Sequence, residues 1–309
     1  MKDRVRHTTK RAAIVLAGGE GSRLRDLTRR IAGHDVPKQF CQLIGSSTLL
    51  EQTMGRVALS VRPEHTLMVV NEAHEPFYTQ VLGRLPMSGL VVQPDNRGTA
   101  TAILYALMRM AEITSEVSVA VFPSDHFVDD DSGFMRHVEE AFEAVEEQPE
   151  TTVLLGIKPD RAESGYGWIE YGDALSGKRA QVFQVQRFWE KPPANVATEL
   201  MAQGCLWNSF VMVARLPTLL GLVVAAKPQL YAAFHTMRSA FGTPREQSRM
   251  RSLYAKLGSE DFSSDILACF PARLAVLPVR GLAWSDLGEP QRVMDALSRM
   301  GERPRWAAA

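Results

Sequence analysis

Ala13-Ile14-Val15-Leu16-Ala17-Gly18-Gly19-Glu20-Gly21-Ser22-Arg23-Leu24 is the stretch that decides the fold. The apolar run at its start, closed by a turn signal, reads as a short strand buried on both faces. The glycines that follow let the backbone approach a ligand and expose successive N–H groups, and Arg23 adds a cation at the same place. A strand that runs into such a loop is an anion cradle suited to a polyphosphate. A dinucleotide loop of the form GxGxxG would need glycine where Leu24 stands, and the GxxxxGK[ST] of a Walker A loop is absent. The bland alternative, a turn with no ligand, has little use for three glycines beside an arginine.

Outward from this stretch, short apolar runs alternate with amphipathic segments. Strands are predicted at 13–16, 66–70, 90–93, 117–122 and 152–155. Between the third and fourth, Ile103, Leu107, Met110 and Ala111 recur at helical spacing, so 99–112 is predicted as a helix with Thr99 as its N-cap. The alternation predicts an α/β fold with a Rossmann-like, mostly parallel sheet flanked by helices. The second half is less regular: strands at 166–171, 181–189 and 206–214 form a smaller antiparallel subregion, with helices at 216–226 and 229–241. No Pro/Gly/Ser linker, repeat or low-complexity tract interrupts the chain. The expectation is a basic tail at 1–11 and one domain over 12–300, divided into a nucleotide-binding half at about 12–150 and a substrate-binding half at about 151–300.

Composition excludes several function classes. Lys plus Arg and Asp plus Glu each number 35 in 309 residues, so no overall field favours nucleic acid. No apolar run reaches the roughly 20 residues that span a bilayer, and no apolar core follows the basic N-terminus as a signal peptide would require. Cys41, Cys205 and Cys269 are odd in number and lack CxxC spacing, which argues against a disulfide framework or a zinc knuckle and favours a reducing cytoplasm.

The remaining motifs each admit a plain reading beside a functional one. In Pro37-Lys38-Gln39-Phe40 a rigid proline precedes a lysine that either holds a phosphate as a point charge or is a surface lysine. Gln93-Pro94-Asp95-Asn96-Arg97-Gly98-Thr99-Ala100 joins a strand to a helix; Gln93 has donors and an acceptor for a base edge, and a capped loop fits the spacing equally. Asp125, in Phe122-Pro123-Ser124-Asp125-His126, follows a buried strand at the edge where open α/β sheets bind ligands, and its carboxylate suits Mg²⁺. Asp129, Asp130 and Asp131 read as a turn capping the next helix rather than a metal cluster.

The glycine loop followed by Pro37-Lys38-Gln39-Phe40 resembles the signature of the nucleotide-diphospho-sugar pyrophosphorylases, and among them the mannose-1-phosphate guanylyltransferases. Further segments follow in the family's order. Gln93 to Ala100 is similar to the base-recognition segment, and Ser164-Gly165-Tyr166-Gly167 to the Thr/Ser-Gly-Tyr-Gly segment beside the sugar. Phe188-Trp189-Glu190-Lys191-Pro192 resembles F-x-E-K-P, and Trp207-Asn208-Ser209-Phe210 resembles W-N-S-G with Phe210 where glycine is common. Trp284-Ser285-Asp286-Leu287-Gly288 is similar to W-x-D-[VL]-G, which carries the second metal-binding aspartate. The family usually has a proline soon after the Arg-Leu pair, whereas Arg25-Asp26-Leu27 stand here.

The resemblance implies transfer of a nucleotidyl group from GTP to mannose 1-phosphate with release of pyrophosphate and Mg²⁺ as cofactor. It implies catalytic roles for Arg23, Lys38, Asp125, Lys191 and Asp286, with the metal on Asp125 and Asp286. The nucleotide falls to Leu16, Ala17, Gly18, Gly19, Gly21, Ser22, Gln93, Asn96, Arg97, Gly98, Thr99 and Ser124. The sugar phosphate falls to Gly165, Tyr166, Gly167, Glu190, Lys191 and Asn208. A sugar phosphate is already ionised near neutral pH and needs no general base, which leaves His126 a positioning or structural residue. The expectation includes a homodimer as an open option and no C-terminal β-helix or cupin extension. The rival readings are a thymidylyl-, uridylyl- or cytidylyltransferase, and a catalytically silent nucleotide-sugar-binding regulator.

Overall fold

The computed structural model describes residues 10–83, 89–177, 180–304 and 306; most of the expected basic tail, 1–9, lies outside the described residues. In chain order the strands are β1 (Lys10–Leu16), β2 (Thr66–Asn71), β3 (Gly89–Gln93), β4 (Val117–Pro123), β5 (Phe127–Val128), β6 (Thr152–Ile157), β7 (Gly167–Ala174), β8 (Phe183–Glu190), β9 (Leu206–Arg215), β10 (Leu274–Val279) and β11 (Trp284–Ser285). Nine of them form one sheet in the order β3-β2-β1-β4-β9-β6-β10-β8-β7, while β5 and β11 form a separate antiparallel ribbon.

The first four strands of that order are mutually parallel. β9 runs antiparallel to both β4 and β6, so β6 and its parallel neighbour β10 point the same way as β1. The carboxyl ends of β1, β3, β4 and β6 therefore share an edge. β7 and β8 extend the sheet in antiparallel fashion, and β7 also pairs with the start of β9, where Trp207 opposes Trp168 on one side and Ile157 on the other. That pairing carries the antiparallel region to the same edge.

Apolar side chains of β1 alternate between two cores, as a strand buried on both faces requires. Ala13 and Val15 join Phe134, Phe142 and Trp168 on one face, under the helix Asp131–Glu147. Ile14 joins Ile103, Leu107, Phe234 and Tyr254 on the other, under the helices Gly98–Ala111 and Leu216–Ala226. Among the described residues no single helix is long and apolar enough to cross a membrane.

Each predicted strand is present, with ends displaced by a few residues. β10 was not predicted; Pro278 sits within its apolar run, which argues against a strand, and it lies past the two residues that pair with β8. Asp130 caps the helix Asp131–Glu147, its Oδ1 accepting from Gly133 N at 2.8 Å. The predicted helix at 229–241 breaks into Pro228–His235 and a single 3-10 turn, Arg238–Ala240.

Thr99 is not an N-cap. The helix begins one residue earlier, at Gly98, and its first turn is met by a distant segment: Ala100 N donates to Glu260 O at 3.0 Å, and Thr99 Oγ1 donates to Asp261 Oδ2 and accepts from Phe262 N. Gly98 has φ +82°, and a Cβ there would lie 2.1 Å from Glu260 O. Gly98→Ala is therefore expected to cost about 1–3 kcal/mol of stability, read by chemical denaturation. Thr99→Ser, which keeps the bridging hydroxyl, is expected to stay within about 0.5 kcal/mol of the parent in the same denaturation experiment.

Candidate active site

The loop leaving β1 is held from below by a residue that the sequence did not single out. Gln39 is buried, and its Nε2 donates to Ala17 O at 2.9 Å and Gly19 O at 2.8 Å. Ser124 N ties the end of β4 to Leu16 O at 3.1 Å. Gly21 takes φ +60°, and a Cβ on it would fall 2.7 Å from Lys38 Cβ, so the loop closes directly over the Lys38 turn. Gly18 lies against Gln93, whose Nε2 is 2.9 Å from where a Cβ would stand. The Gln93 Oε1 accepts from Tyr254 OH at 3.1 Å, which leaves the NH₂ facing the glycine loop.

Lys38 joins the two aspartates. Its side chain is 5% exposed; Nζ is 3.0 Å from Asp125 Oδ2 and donates to the backbone carbonyl of Asp286. Asp125 follows β4 and Asp286 follows β11, and the β5–β11 ribbon, with Trp284 opposite Val128 and Ser285 opposite Phe127, brings them together. Asp286 Oδ1 accepts from Arg292 Nη1 at 2.6 Å, Gly288 N at 2.8 Å and Tyr166 OH at 3.0 Å. Asp286 Oδ2 has no hydrogen-bond partner among the described residues. It and Arg23 Nη2 lie 2.6 and 3.0 Å from the point where a side chain on Gly288 would begin, so Arg23 belongs to this cluster.

Burial pushes the Asp125 carboxyl upward, but the groups around it, the Lys38 ammonium foremost and His126 after it, together outweigh burial and hold the carboxyl below the usual carboxylate range. Burial acts likewise on Asp286 and is outweighed by its basic neighbours His126, Arg292 and Lys38 together. Both are carboxylates near neutral pH. Burial pushes His126 down to about 4, so it is a neutral ring there, packed edge-on against Trp284 at 5.1 Å.

On the neighbouring part of the edge, Tyr166 links the two halves. Its hydroxyl is committed to Asp286 and its carbonyl accepts from Lys191 N at 3.2 Å, while Gly167 pairs with Glu190 across β7 and β8. Glu190 and Lys191 pair with one another at 2.5 Å, with Lys191 60% exposed. Gly165 N donates to Glu163 Oε1, and Asn208 is buried with its Oδ1 accepting from Phe210 N at 3.1 Å. Among the described residues the non-glycine positions with left-handed backbone are Lys191 (φ +46°), Phe210 (φ +61°) and Leu287 (φ +48°), and each lies in one of the motifs singled out above. Strain of this kind persists where the surrounding structure over-determines it.

The Nucleotidyl transferase family profile matches residues 12–303. The chain belongs to that family. It is 29% identical to the mannose-1-phosphate guanylyltransferase of Escherichia coli over 94% of this chain and 60% of that one. It is 33% identical to the alginate biosynthesis protein AlgA of Pseudomonas aeruginosa over 65% of this chain and 41% of that one. A crystal structure from Thermus thermophilus, named mannose-1-phosphate geranyltransferase, superimposes with a TM-score of 0.80 at 29% identity, over 94% of this chain and 79% of that one. The chain spans about 60% of the length of the first of its curated relatives.

In this nucleotidyl transferase Arg23, Lys38, Asp125, Tyr166 and Asp286 converge, whereas Glu190, Lys191 and Asn208 stand beside them on the β7–β8–β9 side. Asn96 and Arg97 are occupied within their own loop, where Asn96 Oδ1 accepts from Gly98 N and Arg97 pairs with Asp95 at 3.0 Å, while the Thr99 hydroxyl is taken up by the distant Asp261 and Phe262. Asp286 Oδ2 and the Asp125 carboxylate are hard oxygen donors. No group of three or more His, Cys, Asp or Glu suited to a metal occurs among the described residues. Mg²⁺ is commonly held by one or two carboxylates with phosphate oxygens and water, so this pair fits it.

Arg292 is the residue that sequence reasoning missed most completely. It is buried, bonds Asp286, pairs with Glu163 at 2.8 Å and lies 4.4 Å over the Tyr166 ring. Arg292→Met is expected to lower the thermal midpoint near neutral pH, because it strips a buried carboxylate of its cation. Because that cation depresses Asp286, the stability it adds is present above the ordinary carboxylate pKa of about 4 and is lost as pH falls below it. The gap between variant and parent should therefore close in acid, which thermal melts across pH would record.

Proposed function

We propose that this nucleotidyl transferase moves a guanylyl group from GTP to mannose 1-phosphate and releases pyrophosphate. The observation that carries the proposal is the meeting of Asp125 and Asp286 on one buried lysine, with Arg23 beside them under a glycine loop. In-line transfer forms a bond from the sugar-phosphate oxygen to the α-phosphorus as the bond to the pyrophosphate oxygen breaks, so neutralising and aligning anions is the main task. The loop from Gly18 to Ser22 would cradle the triphosphate with backbone N–H groups, and Arg23 and Lys38 would add charge to it.

Asp125 and Asp286 would hold Mg²⁺, which when bound offsets phosphate charge. Tyr166 and Arg292 orient Asp286, and His126 fills space beside Trp284 rather than moving a proton. Lys191 would meet the incoming sugar phosphate by leaving its exposed pair with Glu190, a pair worth about 0–1 kcal/mol. The Gln93 NH₂, fixed by Tyr254, offers a donor to a base oxygen, which supports guanine over a base with an amino group there. The names of the relatives support mannose 1-phosphate as the acceptor.

A coupled pyrophosphate-release assay across nucleoside triphosphates and sugar 1-phosphates is expected to give its highest rate with GTP and mannose 1-phosphate; a clear preference for another pair would displace this reading. Asp125→Asn is expected to lose at least about 100-fold in turnover while keeping the parent circular dichroism spectrum. Near-normal turnover in that variant would remove the metal role from Asp125.

A further inference from the structure

A cavity of about 210 Å³ lies next to the carboxylate cluster, and Lys38, Asp125, Asp286, Glu190, Lys191 and Asn208 take no part in its lining. Its walls come from the loop after β6, the β5–β11 ribbon, the start of β9 and the last helix, Pro290–Met300. The proposed reaction makes no use of this cavity.

Its charge is unbalanced. Lys158, Arg161, Arg292 and Arg299 face Asp160 and Asp295. Arg161 is matched by Asp160 at 3.1 Å and by Glu163 at 3.5 Å, and Arg292 by Glu163 and Asp286. Lys158 and Arg299 make no ion pair among the described residues. Cations left uncompensated around a concavity focus field on an anion inside it. With Trp207 and Trp284 as flat apolar surfaces beside these cations, the chemistry suits a phosphoryl group, alone or on a small organic body.

The cavity is wired to the catalytic edge. Arg292 lines it while bonding Asp286 Oδ1 with Nη1 and pairing with Glu163 through Nη2, and Glu163 Oε1 in turn holds Gly165 N at 2.9 Å. An anion in the cavity would compete with both carboxylates for this one guanidinium. We propose that the cavity is a second anion site, separate from the catalytic edge, which takes a small phosphorylated effector and transmits its presence to Asp286 through Arg292.

The test is calorimetric titration of the full chain at fixed ionic strength with inorganic phosphate and, separately, glycerol 2-phosphate. The parent, Arg23→Gln and the pair Lys158→Gln/Arg299→Gln are compared. The first variant disturbs the catalytic edge; the second changes only exposed cavity cations and leaves the catalytic groups in place. Saturable binding in the parent and in R23Q, weakened about tenfold in K158Q/R299Q, is expected. Tighter binding of glycerol 2-phosphate would mark the tryptophan walls as the seat of an organic body, and equal binding would mark a site for free phosphate. Phosphate should also change the turnover of the parent but not of K158Q/R299Q. Absence of saturable binding, or binding lost in R23Q and kept in K158Q/R299Q, would overturn the proposal.

Discussion

Everything at the working edge of this sheet hangs on the ammonium of Lys38. It is buried, it sits 3.0 Å from Asp125 and it reaches the backbone of Asp286, so one point charge gathers the end of β4 and the turn after β11, while the Lys38 backbone and Cβ lie under Gly21 of the glycine loop. A buried charge without partners is costly, and so are two carboxylates facing each other, so each group makes the others tolerable. The depressed ionisation of both aspartates is the signature of that arrangement. Charge that is fixed before a triphosphate arrives costs no reorganisation when the reaction occurs, which is what a phosphoryl-transfer site needs.

Around this cluster the backbone is held where side chains rarely go. Lys191, Phe210 and Leu287 adopt left-handed conformations directly beside Glu190, Asn208 and Asp286. Two of these neighbours are pinned by hydrogen bonds: Asn208 by the amide of Phe210, and Asp286 by Gly288, Tyr166 and Arg292. At Phe210 the chain accepts the strain of a bulky residue in a conformation that glycine adopts freely.

The parallel part of the sheet was legible because each of its strands is a brief apolar run between turn signals, a pattern that survives without tertiary context. The glycine loop, Lys38, Asp125 and Asp286 were legible for a different reason: their residue types carry charge or conformational freedom that a plain turn does not need. What sequence could not reveal depends on distant partners. Arg292 looks like any arginine on an amphipathic helix until the β5–β11 ribbon puts Asp286 in front of it. Gln39 and Tyr254 matter only because of the loop carbonyls and the Gln93 amide that they meet. Thr99 misled because a hydroxyl at a helix start has the same spacing whether it caps its own helix or, as here, binds Asp261 and Phe262.

The most direct test is a double-mutant cycle on Lys38→Met and Asp125→Asn, read by chemical denaturation near neutral pH. If one buried cation holds this edge together, the two substitutions must be coupled by about 1–3 kcal/mol, the double variant being less damaged than the sum of the singles. Strict additivity would mean that Lys38 and Asp125 act independently, and a single organising charge at this edge would be ruled out.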